Sequence, residues 1–300
     1  MQLKKDHVNE FKFSLERKGM LLATVECYVR DVSAFMHWLS KSRGHFGFEG
    51  VIDVEAYLKF LAENQKDSTN SIRRKLISLK QFFRFVFNNI VGTSSMIDEI
   101  PIPARDESLP DTLDHTQIEL LVNATSETNS KFKSLRDKAL LSLLAFEGLK
   151  ANEIINLKWS DFLKASTKSA TLKVTGSKPR LITLHPDVAN NLVTYKEHMA
   201  DSFKDILKKN ISMFNGIKGR SGMPAESPIS RHGIKFMLYE LGESIEVKKL
   251  NTELLRHYAI NFHLENGKSP EEVMDHFGLK QLGNIGKHAR KIARETANEA

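Results

Sequence analysis

From residue 72 to residue 86 large apolar side chains recur at Ile72, Leu76, Leu79, Phe83 and Val86, in steps of 4, 3, 4 and 3. That rhythm lays one apolar stripe along an α-helix, and the stripe has to face other elements of a core. Ser68 or Thr69 caps this helix, which is predicted to reach Asn89. The chain ahead of it has the same character. Residues 6–18 and 52–64 are helix candidates, and Val25, Tyr28, Val32, Phe35 and Leu39 predict another over 24–40, with Gly44, Gly47 and Gly50 breaking the chain after it. Arg73, Lys80 and Arg84 share a second face of the striped helix, either a solvated face or a surface for a polyanion.

Residues 93–112 carry Pro101, Pro103 and Pro110 without periodicity and read as a linker behind Gly92. Beyond it, Asp114 opens a helix over 115–123, a second covers 135–147 and stops at Gly148, and a short one follows over 152–157. Residues 170–175 and 180–184 alternate apolar and polar around Gly176-Ser177, the pattern of a β-hairpin. The chain is helical again after Pro186, and a Gly-rich loop over 215–228 precedes helices at 230–242, 252–266, 270–277 and 281–299.

Three hundred residues exceed one typical domain, and a hydrophobic fraction of 41% is enough for two cores. The formal charge of +7 favours a polyanionic partner, most often nucleic acid. The single cysteine, Cys27, excludes an internal disulfide and fits a reducing compartment; among Val25, Tyr28 and Val29 it reads as a buried small apolar residue. No signal peptide is read at the N-terminus and no run nears the roughly 20 apolar residues of a membrane span. The expected location is cytoplasmic, associated with the nucleoid, with no membrane partner. No cofactor or metal is implied.

Six segments, in order and spacing, resemble tyrosine recombinases (the phage or lambda-integrase family). They are TVECYVRDVSAFMHWL (24–39), TNSIRRKLISLKQFFRFVF (69–87), LRDKALLSLLAFEGLKANEIINLKWSDF (135–162), LKVTGSKPRLITL (172–184), SPISRHGIKFMLYELG (227–242) and ELLRHYAINFHLENG (253–267). The resemblance implies a mainly α chain: a SAM-like helical core-binding domain over 1–92, a linker over 93–112, and a catalytic-type domain over 113–300, helical with a small β-sheet.

The family cuts DNA by attack of a tyrosine oxygen on a phosphate, with two arginines around the non-bridging oxygens, a lysine protonating the leaving 5′ oxygen, and histidines assisting proton transfer. The resemblance carries these roles onto Lys150 in place of the first arginine, with Glu153 as expected after it, and onto Lys178 or Lys173 for the hairpin lysine. It places Glu253 where a histidine is usual, keeps Arg256, and puts Leu279 where a histidine or tryptophan is usual. His288 stands at the tyrosine position, and no tyrosine follows Tyr258. Lys150 retains charge but not the planar fork. His257 is expected in the core, and His276 on a helix surface. Arg231, His232 and Lys235, at the start of a helix capped by Ser230, would meet phosphate or base edges. With Arg73, Lys80, Arg84, Lys150, Lys178, Arg180 and Arg256 they form the expected DNA-binding set. The family's C-terminal helix docks on a neighbouring protomer; in 289–300 here Ile292 is the one large apolar residue, which favours a surface helix.

These substitutions lead to the expectation of a protein that is not an enzyme: an accessory, architectural or regulatory DNA-binding factor. Two alternatives stand beside it. One is an active site-specific recombinase with non-standard catalytic residues; the other is an interaction module that modulates an active recombinase. The partners implied are double-stranded DNA, an active tyrosine recombinase, or further copies of the chain on DNA, and the resemblance implies a bacterial or mobile-element origin.

Overall fold

The computed structural model describes residues 3–44, 47–88, 96–104, 112–164, 170–209, 211–219, 221–281, 283, 285, 286, 288 and 289. The chain divides into two compact units, Met1–Ser108 and Leu109–Ala300.

The first unit is helical. It runs α1 (Lys5–Arg17), α2 (Leu22–Arg43), α3 (Val51–Glu63) and α4 (Thr69–Val86). The stripe of α4 faces inward: Leu76, Leu79, Phe83 and Val86 are all fully buried, and Ile72 is half-buried at its edge. Phe35 of α2 meets the edges of Tyr57 at 5.2 Å and Phe83 at 5.8 Å, aromatic contacts that fix the helices' register as well as burying area. Ser68 Oγ accepts from Ser71 N–H at 3.3 Å, the expected N-cap. A 3-10 turn, Met96–Glu99, lies where a linker was expected, and Ile97 and Ile100 join this core. Cys27 is not buried as expected: it is half-buried, with its sulfur 3.0 Å from Arg74 Nη1. Arg74 also pairs with Asp31, so the thiol sits at the rim of an ionic cluster.

The second unit begins with α5 (His115–Ala124), α6 (Lys131–Ala145) and α7 (Ala151–Asn156). Helix α6 is its axis. Leu140, Leu141, Leu143 and Leu144 are all fully buried, which is why the second half of its sequence is apolar on nearly every side. A three-stranded antiparallel sheet follows, β1 (Phe162–Lys164), β2 (Ala170–Val174) and β3 (Arg180–Thr183), in that order. The hairpin is as expected, with Leu172 opposite Ile182 and Lys173 opposite Leu181. Its inward residues Leu172, Val174 and Ile182 are buried while Lys173 and Leu181 point out. β1 was not expected, because three residues are too few to show alternation.

Helices α8 (Pro186–Ser202) and α9 (Lys204–Lys209) come next, with Pro186 in the first turn of α8. The expected Gly-rich loop is a second, two-stranded sheet, β4 (Asn215–Ile217) with β5 (Pro224–Pro228). Its signal was masked by Gly219 and Gly222, which turn the chain at φ +56° and +66°. Then come α10 (Arg231–Ser244), α11 (Thr252–Glu265) and α12 (Pro270–Phe277), close to the predicted bounds. Residues 283, 285, 286, 288 and 289 are helical, and Ile285 packs with Ala259, Ile260, Val273 and Phe277. The tail expectation, Ile292 included, falls on residues outside those described. Among the described residues no helix is long and apolar enough to cross a membrane.

Candidate functional site

The second unit draws four distant segments together around Arg256. This arginine is on the second turn of α11 and only 5% exposed. It donates through Nη1 to Gly148 O and through Nη2 to Phe277 O at 2.8 Å, and its guanidinium lies over the Phe277 ring at 5.1 Å. Burial lowers its proton affinity from the usual arginine range, against the opposing charges of Glu153 and Glu253.

Gly148 supplies one of those carbonyls because the chain turns there at φ +58°, a left-handed conformation that only glycine takes at little cost. Two residues later Lys150 leads into α7. Its side chain is exposed, and its backbone N–H donates to Glu153 Oε2 at 2.9 Å. Glu153 then takes a two-point grip from Arg180, Nη1 to Oε1 at 2.8 Å and Nη2 to Oε2 at 3.3 Å. Burial by itself would raise the Glu153 carboxyl, but the Arg180 hydrogen bond, the Lys150 N–H and the charges of Arg180 and Arg256 outweigh it and hold the group below its ordinary range.

The turn of the β2–β3 hairpin packs on the end of α12. Lys178 Nζ donates to Leu279 O at 2.8 Å, and Arg180 Nε donates to His276 O at 2.6 Å. So Lys178, Arg180 and Arg256 gather around Glu153 and the end of α12, with only the backbone of Lys150 joined to Glu153. Lys173 is exposed on β2 and makes none of these contacts. Glu253, one turn before Arg256, is exposed at the start of α11 with its N–H on Asn251 Oδ1 at 2.9 Å. Leu279 is half-buried.

His288 is enclosed, at 2% exposed. Its Nδ1 lies 2.6 Å from Asn261 Oδ1 and its Nε2 lies 3.1 Å from His257 Nδ1. An amide oxygen only accepts, so Nδ1 carries the proton and Nε2 presents its lone pair to His257. His257 is half-buried and stacks on His288 with ring centres 5.0 Å apart, so its place is against this ring and not deep in the core as expected. Tyr258 beside it is 5% exposed, bonded to His115 Nδ1 at 2.8 Å, and its phenol is pushed up to about 12 by burial.

The start of α10 is open. Arg231, His232 and Lys235 are exposed, Ser230 Oγ caps Gly233 N–H at 3.0 Å, and Arg231 Nε donates to Asn152 Oδ1.

The first unit's stripe is corrected. Lys80 is 6% exposed and its ammonium is bonded to Asp98 O at 2.9 Å and Ile100 O at 2.6 Å. Arg73 donates to Pro103 O at 2.6 Å, and Arg84 Nε to the Asp98 carboxylate at 2.9 Å. The segment from the 3-10 turn to Pro103 presents the carbonyls of Asp98, Ile100 and Pro103 and the Asp98 carboxylate, and the cations of α4 bond to them. His276 is corrected too: it is 9% exposed, 3.1 Å from Glu147 Oε2, not on a surface. With His263 these two residues form a buried group the sequence reading missed, since single polar residues inside apolar helices leave no periodic signal. Burial, then the charges of His276 and Lys268, pushes the His263 imidazole down to about 3.

Two family models match: "Phage integrase family" over residues 111–291 and "Phage integrase, N-terminal SAM-like domain" over 8–92. Among curated relatives, a tyrosine recombinase XerD of Listeria innocua is 25% identical over 294 residues, spanning 96% of this chain and 95% of its own. Another, from Staphylococcus haemolyticus, is 26% identical over 281 residues, spanning 90% and 88%. Among solved structures, the XerH recombinase bound to palindromic difH substrate in a post-cleavage complex superposes with TM-score 0.71 at 16% identity, covering 99% of this chain and 89% of that one. A lambda integrase (75–356) dimer bound to a COC′ core site gives 0.70 at 13%, covering 96% and 95%. At such identities the structural likeness establishes the fold. The names of the full-length relatives overturn the expectation of a chain that is not an enzyme: both belong to an enzyme family.

Proposed function

The chain belongs to the phage integrase family of tyrosine recombinases, and from that premise we propose that it binds duplex DNA and exchanges strands at specific sites with a non-standard residue set. The observation that carries this reading is the convergence of Glu153, Lys178, Arg180 and Arg256 from segments distant in sequence, with Lys150 exposed beside Glu153 at the start of α7. A phosphodiester under attack gains charge on its non-bridging oxygens, and fixed cations stabilise that charge without reorganising. Arg256 and Lys150 supply positive charge for those oxygens. Lys178 carries a proton of the kind the leaving 5′ oxygen needs. Arg180, locked to Glu153, holds the hairpin turn against α12. Arg231, His232 and Lys235 meet DNA from the exposed start of α10, and phosphate contacts make binding fall steeply with salt.

The attacking group is the open element, and His288 holds the family's tyrosine position. Its Nε2 lone pair is of the kind that forms a phosphoramidate, once His257 releases it. The test uses duplex DNA selected for binding by the full chain, nicked so that a cleaved strand diffuses away. The expected result is a covalent protein–DNA adduct, its peptide mapped by mass spectrometry and lost in His288→Phe. DNA bound tightly with no adduct, at any pH from 6 to 9, sinks the reading.

A further inference from the structure

Behind the Arg256 cluster the second unit buries three ligand-type side chains that the chemistry above does not use. Glu147 follows α6 and is 0% exposed; His263 on α11 is 5% exposed; His276 on α12 is 9% exposed. One ligand atom from each lies within 4.8 Å of the other two. His276 Nε2 and Glu147 Oε2 are 3.1 Å apart, yet neither atom has a hydrogen-bond partner. A buried carboxylate oxygen and a buried ring nitrogen left this way are costly, and native interiors retain such groups where they coordinate or react.

We propose that Glu147, His263 and His276 form a binding site for a divalent transition metal, zinc foremost. Two imidazoles and one carboxylate are a donor set that suits zinc; calcium and magnesium take oxygen ligands instead. Zinc bonds of roughly 2.0–2.1 Å put tetrahedral donors about 3.3 Å apart. The Glu147–His276 pair at 3.1 Å already meets that spacing, and His263 offers its ligand atom within 4.8 Å of both. The outer partners fit as well. Glu147 Oε1 accepts from His185 N–H at 2.7 Å, and His263 Nε2 lies 2.8 Å from Phe146 O, which leaves Nδ1 as the ligating nitrogen when Nε2 carries the proton.

The site would also position Arg256. Glu147 directly precedes Gly148, and His276 directly precedes Phe277, the two residues whose carbonyls receive the Arg256 guanidinium. His276 O receives Arg180 Nε. A metal joining the three side chains therefore ties together the segments that hold both arginines.

The test uses the full chain without an affinity tag. After zinc loading and gel filtration, elemental analysis is expected to find one zinc per chain. Cobalt(II) in its place is expected to give the visible absorption of a four-coordinate site. Glu147→Gln and His276→Gln are each expected to weaken zinc binding by about tenfold or more. No bound metal, or variants that bind zinc as tightly as the natural chain, overturns the site. Should the variants not fold, nitrogen-15 resonances of the His263 and His276 rings in the unaltered chain decide it: zinc is expected to shift both, and unmoved resonances overturn it. None of these readouts depends on DNA, so the metal site and the strand chemistry stand or fall separately.

Discussion

Replacing Gly148 with alanine should loosen the second unit and its Arg256 together. The position has φ +58°, and an added Cβ would come within 2.2 Å of Phe277 Cε1, 2.9 Å of Cδ1 and 3.1 Å of Ala259 Cβ. The left-handed backbone costs a non-glycine residue about 1–2 kcal/mol. Forcing the buried Phe277 ring aside adds about 1–3 kcal/mol of overpacking. The sum is about 2–5 kcal/mol, and its midpoint lowers the melting temperature of a unit this size by roughly 7–14 °C. Gly267 is the control: it has φ +83°, lies in the same unit, and a Cβ there meets nothing within 4 Å. Gly267→Ala should therefore show the backbone cost alone. The assay is calorimetric unfolding of both variants and of Gly148→Ala combined with Phe277→Leu, where a smaller side chain relieves the clash and gives a coupling of about 0.5–3 kcal/mol. DNA affinity of Gly148→Ala should fall as well, since Gly148 O and Phe277 O both receive Arg256. Equal destabilisation by Gly148→Ala and Gly267→Ala would refute the clash and the positioning argument with it.

Two further outcomes separate structural cations from ligand-facing ones and test the Glu153 ion pair. Lys80→Met strips Asp98 O and Ile100 O of their buried donor and should cost the first unit about 2–3 kcal/mol in denaturant unfolding, with the salt dependence of DNA binding unchanged; Lys235→Gln should leave stability within about 0.5 kcal/mol and reduce the log–log salt slope by about 0.9. Glu153 titrates below its usual 4.5 in the folded chain, so its contribution is fully present above that value and is lost as pH falls through the lower, folded one; the stability gap between the natural chain and Glu153→Gln should narrow as the pH is taken down past 4.5, and a gap that widened on acidification would contradict the ion pair with Arg180.

Periodic features were readable in advance because their physics is local. The stripe on α4, the caps Ser68, Asp114 and Ser230, and the turn at Gly176-Ser177 each depend on residues within a few positions, and each is in place. What escaped was set by partners far along the chain. Lys80 looked like one of three cations on a solvated or DNA-facing surface, but the 96–100 segment folds over it and takes its ammonium. β1 is too short for alternation to show, and β4 with β5 was hidden under glycines that turn the chain. His276 occupies a helix position that its neighbours alone leave ambiguous.

The sequence by itself determined the family and the two-part organisation of helices, since order, spacing and residue type are written along the chain. Only the tertiary structure decided which charges are satisfied inside and which face outward. It locked Arg180 onto Glu153, enclosed His288 between Asn261 and His257, and drew Glu147, His263 and His276 into one buried group. The physical reason is that a polar side chain's state depends on the donor or acceptor that reaches it after folding, and these partners come from segments with no shared local pattern.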